Sequence, residues 1–262
     1  MLASFRKAAR AALALLAGEH CVMCGTPLRG GQLCPSCWLS LPYTHLRAYA
    51  GNPIDRLFWD DARVVAASAY LWYKPEYAVA QLVHALKYGG RYDLGLLMGE
   101  VMAHELADSD FFATADALLP VPLSKQRYRQ RGYNQSLALA EGVNRATGLP
   151  IVQGAVVRHI DNPSQTSLDA HQRLANVEGI FSLSDSSALS GRHVVVIDDV
   201  ITVGATIGSL LRTLSAVPNL RASILVLCAA GRYHMGAVHS QQLGLPDASA
   251  QLHAEQLRRY RP

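Results

Sequence analysis

The sequence has no apolar run long enough to cross a membrane as a helix, no internal repeat and few charges. The longest early stretch free of charge and strong polarity, residues 11–18, is far short of the roughly 20 residues that a spanning helix needs. Charged residues make up only 17% of the 262 positions, against 50% hydrophobic. That balance excludes a disordered chain, because burial on this scale offsets the entropy of ordering. The net charge of +4 is mild. It permits a phosphate-rich ligand or a weak contact with DNA and demands neither. Only five cysteines are present, four of them in two close pairs. Such pairing favours reduced metal ligands in a cytoplasmic protein over a secreted disulfide frame. Arg6, Lys7 and Arg10 ahead of an Ala/Leu run outline a weak secretory signal. With the cysteines read as reduced, the segment is expected to be a short amphipathic helix.

What is there falls into three regions, expected at 1–50, 54–230 and 231–262. The first is Cys-rich with Gly25, Gly30, Gly31 and Pro35 marking turns, and a Pro/Gly-bearing linker follows at 51–53. From residue 64 strand and helix signals alternate. Residues 64–73 are β-branched and aromatic. Val79, Leu82, Val83 and Leu86 keep helical spacing until Gly89 and Gly90 stop it, and 94–106 continues as helix. A short strand at 117–119 is ended by Pro120 and Pro122. A helix over 134–146 is closed by Gly148, and 151–157 is a strand candidate. Residues 158–177 are polar without a period. Strands at 193–197 and 223–227 bracket a helix at 205–214. The weakly patterned end carries one helix near 248–259. Alternating strands and helices predict an α/β fold with a parallel sheet covered on both faces.

Cys21 and Cys24, then nine residues, then Cys34 and Cys37 form paired CxxC turns. A tetrahedral zinc needs four thiolates at about 2.3 Å, and each CxxC supplies two from one tight turn. Gly25 suits the positive φ of such a turn. With no open coordination position, the ion's role would be structural or docking. Cys228 reads as a small buried hydrophobe.

The run Val194-Val195-Val196-Ile197-Asp198-Asp199-Val200-Ile201-Thr202-Val203-Gly204-Ala205-Thr206 is the most informative. A buried strand leads into two acids, a small-residue loop and a helix. Ligands of parallel sheets bind beyond the carboxyl ends of strands. The loop from Thr202 to Thr206 would direct backbone N–H groups at an anion, backed by the positive end of the next helix. Asp198 and Asp199 suit a polyhydroxyl sugar or a magnesium ion bridging sugar and phosphate oxygens. A helix N-cap would use one residue and leave the second acid unexplained. Arg127, Arg129 and Arg131 alternate before Gly132-Tyr133-Asn134-Gln135. They are equally well a solvated basic face or a bidentate clamp for a polyphosphate. A long polar loop inside a compact domain, here bearing Gln165, Arg173 and Asn176, is usually functional or disordered.

The stretch from Asp198 to Thr206 resembles the phosphoribosyl pyrophosphate (PRPP) loop of type I phosphoribosyltransferases. Val203 departs from it, standing where that family has Thr or Ser. Together with the CxxC pairs, Pro120-Val121-Pro122, Arg131-Gly132-Tyr133-Asn134-Gln135 and the Gln165/Arg173/Asn176 pattern, the chain resembles the ComF family over about residues 21–230. Those competence-associated proteins join a zinc knuckle to a phosphoribosyltransferase-like domain. The resemblance implies a type I phosphoribosyltransferase-like parallel sheet flanked by helices. It implies the 5′-phosphate held by Thr202, Val203, Gly204, Ala205 and Thr206, with Asp198 and Asp199 on the ribose hydroxyls. The turn around Pro122 to Ser124 would face the pyrophosphate through Mg²⁺, and Arg131 would be a further PRPP-binding residue. Arg158 and Arg173 would belong to a mobile loop that closes over the reacting carbon. The implied reaction is displacement of pyrophosphate at ribose C1, a glycosyl transfer, linked to DNA uptake or nucleotide metabolism. A rival reading stays open: a non-catalytic binder of PRPP or a nucleotide, handling DNA and docking a protein partner through the knuckle. No residue announces itself as the base for an acceptor.

Overall fold

The computed structural model describes residues 20–159 and 179–231. The chain divides into two compact units, Met1–Leu41 with Arg232–Pro262, and Pro42–Gly231. The helices expected near 11–18 and 248–259 lie outside the described residues. So do Gln165, Arg173 and Asn176.

In the smaller unit, residues 20–41 form a tight reversal. His20 pairs with Pro27 as an isolated antiparallel bridge. The Cys21 N–H donates to the Thr26 carbonyl and the Gly25 N–H to the Cys21 carbonyl, both at 2.8 Å. Gly25 takes φ +75°, as the turn requires. A one-turn helix, α1 (Pro35–Leu39), follows with Pro35 at its first position, where a missing N–H costs nothing.

The larger unit is built on a four-stranded parallel sheet. Its strands are β1 (Val64–Tyr73), β2 (Ala117–Pro120), β5 (His193–Ile201) and β6 (Arg221–Ala230), in the order β1-β6-β5-β2. The two central strands are nearly continuous apolar runs, as a sheet covered on both faces demands. The expected parallel sheet flanked by helices is therefore what the structure has. Helices α2 (Val79–Tyr88), α3 (Tyr92–Glu105), α5 (Gln135–Thr147) and α6 (Ala205–Leu214) match the sequence periods closely. The turn at Gly51 and Pro53 falls inside this unit. Asn52 there is fully buried, donating to the Tyr49 and Ala67 carbonyls and accepting from the Ile54 and Asp55 amides.

Three differences from the sequence reading matter. Strand β5 continues to Ile201, so both acids lie within the strand, with Asp198 paired to Val226. The stretch 151–157 is not one strand. Ile151 makes only a bridge to Leu118, and Gly154 at φ +80° separates it from β3 (Val156–Arg158). That short strand pairs antiparallel with β4 (Phe181–Leu183). The third is a helix, α4 (Lys125–Arg131), where the sequence showed only charge. Ser124 caps it by accepting from the Arg127 N–H, Gly132 ends it at φ +82°, and it buries no residue, so it has no apolar period to read.

Helices α3 and α5 pack backbone to backbone. A Cβ added at Gly99 would stand 2.0 Å from the Leu139 carbonyl oxygen, and one at Gly142 2.1 Å from that of Leu96. Only glycine permits this approach. Gly99→Ala should cost about 2–3 kcal/mol in chemical denaturation, since overpacking against backbone outweighs alanine's gain in helix propensity. Gly208→Ala in α6 is the control: only the Arg212 guanidinium lies near, at 3.7 Å. It should be neutral or stabilising by up to about 1 kcal/mol.

Candidate functional site

The carboxyl ends of β2 and β5 open into a cavity of about 590 Å³. Its floor is the end of β5. Asp198 Oδ1 accepts from Ser136 Oγ and from the Asp199 backbone N–H, both at 2.9 Å. Asp199 Oδ2 lies 3.2 Å from Lys87 Nζ, with side chains 11% and 22% exposed. That oxygen is buried and accepts no hydrogen bond. Burial, and then the negative Asp199 alongside, push the Asp198 carboxyl up to about 6.

Gly204 is the N-cap of α6, at φ +75° and without a side-chain cap. The first amides of α6 have no partner within the helix. Neither acid caps this helix, so a capping role does not explain the pair. Gly204 is needed twice over, because a Cβ there would also meet the Phe58 ring at 3.2 Å. Val203 is exposed at the cavity rather than packed in the core.

The other wall comes from the segment after β2. Arg131 Nη1 donates to Gln135 Oε1 at 2.8 Å, which leaves the Gln135 amide nitrogen as a donor. That nitrogen and Arg131 Nε are buried without partners, and both residues line the cavity. The Arg131 guanidinium sits 5.3 Å above the Tyr88 ring. Tyr133 donates its hydroxyl to the Leu86 carbonyl, fixing the end of α2 that carries Lys87 and Tyr88. Asn134 caps α5 through the Ser136 N–H and donates to the Val121 carbonyl at 3.0 Å.

Of the residues singled out by sequence, the cavity collects Asp198, Asp199, Arg131, Arg158, Thr202, Val203, Gly204, Ala205 and Thr206. Arg158, at the end of β3, is buried with its guanidinium 5.4 Å from the Phe181 ring centre. Pro122 and Ser124 are not among the lining residues. Val121 and Leu123 line it instead, and Ser124 is the buried cap of α4. Arg173 lies outside the described residues. Sequence reasoning passed over Lys87 and Ser136, and named Gln135 only as part of a motif. Lys87 had no local signal, since a lysine in a helix's last turn is ordinarily a dipole partner.

The smaller unit has its own cluster. The sulfurs of Cys21, Cys24, Cys34 and Cys37 all lie within 4.8 Å of one another, and Cys24 and Cys34 are 3.7 Å apart. Tetrahedral thiolates at about 2.3 Å from a zinc are separated by about 3.8 Å, so the four fit a metal such as zinc. The thiols are not equivalent. A hydrogen bond from Thr26 lowers Cys24 to about 6, and burial raises Cys37. Burial also acts upward on Cys21, but the amides of Cys34, Cys24 and Met23 outweigh it and lower that thiol.

No family model matches the chain. DNA utilization protein YhgH of Escherichia coli (strain K12) is 29% identical over 213 residues, 79% of this chain and 88% of that protein. Competence protein F of Haemophilus influenzae is 35% identical over 100 residues, 38% of this chain and 44% of that one. Competence protein ComFC of Bacillus subtilis is 37% identical over 90 residues, 34% of each. The chain is a homologue of these proteins. Among solved structures it is similar to glutamine PRPP amidotransferase from B. subtilis, with 19% identity and a TM-score of 0.37. That match covers 55% of this chain and 30% of the other. Adenine phosphoribosyltransferase from Leishmania tarentolae gives 10% identity and 0.35, covering 62% and 91%. Among the described residues, no helix is long and apolar enough to cross a membrane.

Proposed function

We propose that the larger unit is phosphoribosyltransferase-like and binds PRPP with magnesium, in the service of DNA uptake or nucleotide metabolism. One juxtaposition carries the reading: a buried acid pair and an uncapped helix N-terminus on the same cavity floor. The amides from Thr202 to Thr206 would take the 5′-phosphate, and Asp198 and Asp199 the ribose hydroxyls. Asp199 Oδ2, anionic and without a hydrogen bond, is an oxygen that fits a cation. Magnesium, when bound, supplies positive charge against the pyrophosphate. Arg131, Gln135 and Arg158, which line the cavity, would hold that group by charge and hydrogen bonds. If an acceptor is present, pyrophosphate leaves ribose C1 as the acceptor bonds there, and these cations stabilise the charge that departs.

The four cysteines would hold one structural zinc, because four thiolates leave no open position. A second reading rests on α4. Lys125, Arg127, Arg129 and Arg131 lie within seven residues of helix, beside the exposed Tyr128 and Tyr88. Cations interleaved with exposed aromatic rings suit a single-stranded nucleic acid. The name of the relative YhgH, a DNA utilization protein, agrees with that chemistry.

Three measurements test these statements. Calorimetry with PRPP and Mg²⁺ should show binding that weakens as pH falls through about 6, where Asp198 takes up a proton. Asp198→Asn should lower the affinity at least about tenfold, and Val203→Thr should raise it about two- to tenfold by one added hydrogen bond. Normal binding by the asparagine variant would remove the acid pair from the site. Metal analysis should find one zinc per chain, lost when Cys21 and Cys24 are both changed to Ser, with chelation loosening this small region first. For the second reading, an oligonucleotide should bind with salt-dependent affinity. Arg129→Ala should reduce the slope of log affinity against log salt by about 0.7, and Tyr128→Ala should weaken binding uniformly across sequences. A salt-independent affinity would dismiss α4 as a nucleic-acid surface.

A further inference from the structure

The residue on which the cavity turns is Lys87. It stands in the last turn of α2, remote in sequence from both acids, yet its ammonium lies 3.2 Å from Asp199 Oδ2. This contact is largely shielded from water and is fixed from behind, since the neighbouring Leu86 carbonyl is held by the Tyr133 hydroxyl. Because that oxygen accepts no hydrogen bond, the ammonium neutralises it by charge alone and does not lock it by geometry. The ion pair is thus well placed and easily exchanged for another cation.

The charges around it point the same way. Among the described residues, Lys87, Arg127, Arg131 and Arg158 line the cavity with two acids, Asp198 and Asp199. With both acids ionised, the lining carries two more positive charges than negative. A bare divalent cation enters against that excess, whereas the same cation chelated by a polyphosphate enters as an anion.

We propose that Lys87 is a built-in counter-cation for Asp199, occupying in the free protein the carboxylate a divalent metal would otherwise take. The metal is then admitted only with its phosphate ligand, which draws the ammonium off Asp199 and onto its own oxygens. Lys87 acts through Asp199 and is a positioning residue. The inference rests on the reading of Asp199 as a metal-facing acid, but it does not require that the phosphate ligand be PRPP.

The test uses the full chain with its cysteine cluster loaded, and Mn²⁺ as a probe followed by electron paramagnetic resonance. Mn²⁺ alone should bind the wild-type protein weakly, and Lys87→Met should bind it at least about fivefold more tightly. Lys87→Arg, which keeps the charge, should stay weak. Adding Asp199→Asn to Lys87→Met should abolish the gain, which locates it at this carboxylate. In parallel, the factor by which PRPP tightens Mn²⁺ binding should shrink in Lys87→Met. Equal Mn²⁺ affinity in wild type and folded Lys87→Met would overturn the proposal. So would a gain that survives Asp199→Asn. Lys87→Gln, with a shorter neutral side chain, serves if the methionine variant does not fold. A fivefold gain with no PRPP binding by either protein would support the placement of Lys87 and overturn the PRPP reading instead.

Discussion

A strand that carries two adjacent carboxylates within a buried parallel sheet must find each a counter-group, and the architecture around the cavity follows from that need. Successive strand residues point to opposite faces, so one helix cannot serve both acids. Asp198 is met by Ser136 at the start of α5, and Asp199 by Lys87 at the end of α2. Both helices must therefore bring a particular end to the tip of β5. The glycine-lined contact between α3 and α5 leaves little freedom in where α5 lies. Tyr133, inserted between α4 and α5, bonds to the end of α2 and couples the two supports.

Seen this way, Arg131-Gly132-Tyr133-Asn134-Gln135 is one device with a separate task at each position. Arg131 and Gln135 pair with each other and each keep one buried donor without a partner beside the cavity they line. Gly132 turns the chain with a positive φ, Tyr133 reaches to α2, and Asn134 caps α5 while bonding to the strand-end carbonyl of Val121. Three of the five tasks concern backbone placement. The alternation of arginines that looked like a separate feature is divided by α4 between the cavity, which takes Arg127 and Arg131, and the surface, which takes Arg129.

The sheet was legible because its strands are apolar runs and its helices keep a 3.6-residue period; α5 and α6 fall where those patterns place them, and β5 starts there but runs four residues further. What could not be read has physical reasons. Helix α4 buries nothing, so no periodicity reports it. The β3–β4 pair is three residues on each side, below the length at which alternation is visible. Lys87 owes its place at the site entirely to tertiary packing, more than a hundred residues in sequence from Asp199. The turn of Pro122 to Ser124 was located by its motif, and within it the fold gives the lining to Leu123, beside Val121, rather than to Pro122 or Ser124.

Charge shows the same difference between composition and arrangement. The whole chain's +4 is too small to name a ligand. Among the described residues, four cations and two acids are concentrated around one cavity, a local field that the chain's total does not report. The raised Asp198 sharpens this. Its burial makes the second negative charge costly, so the pair is held ionised only as far as nearby cations and hydrogen bonds support it. On the proposed reading, a metal-bearing phosphate would supply both what the acids lack and what the arginines lack, as neither a bare metal nor a bare anion would.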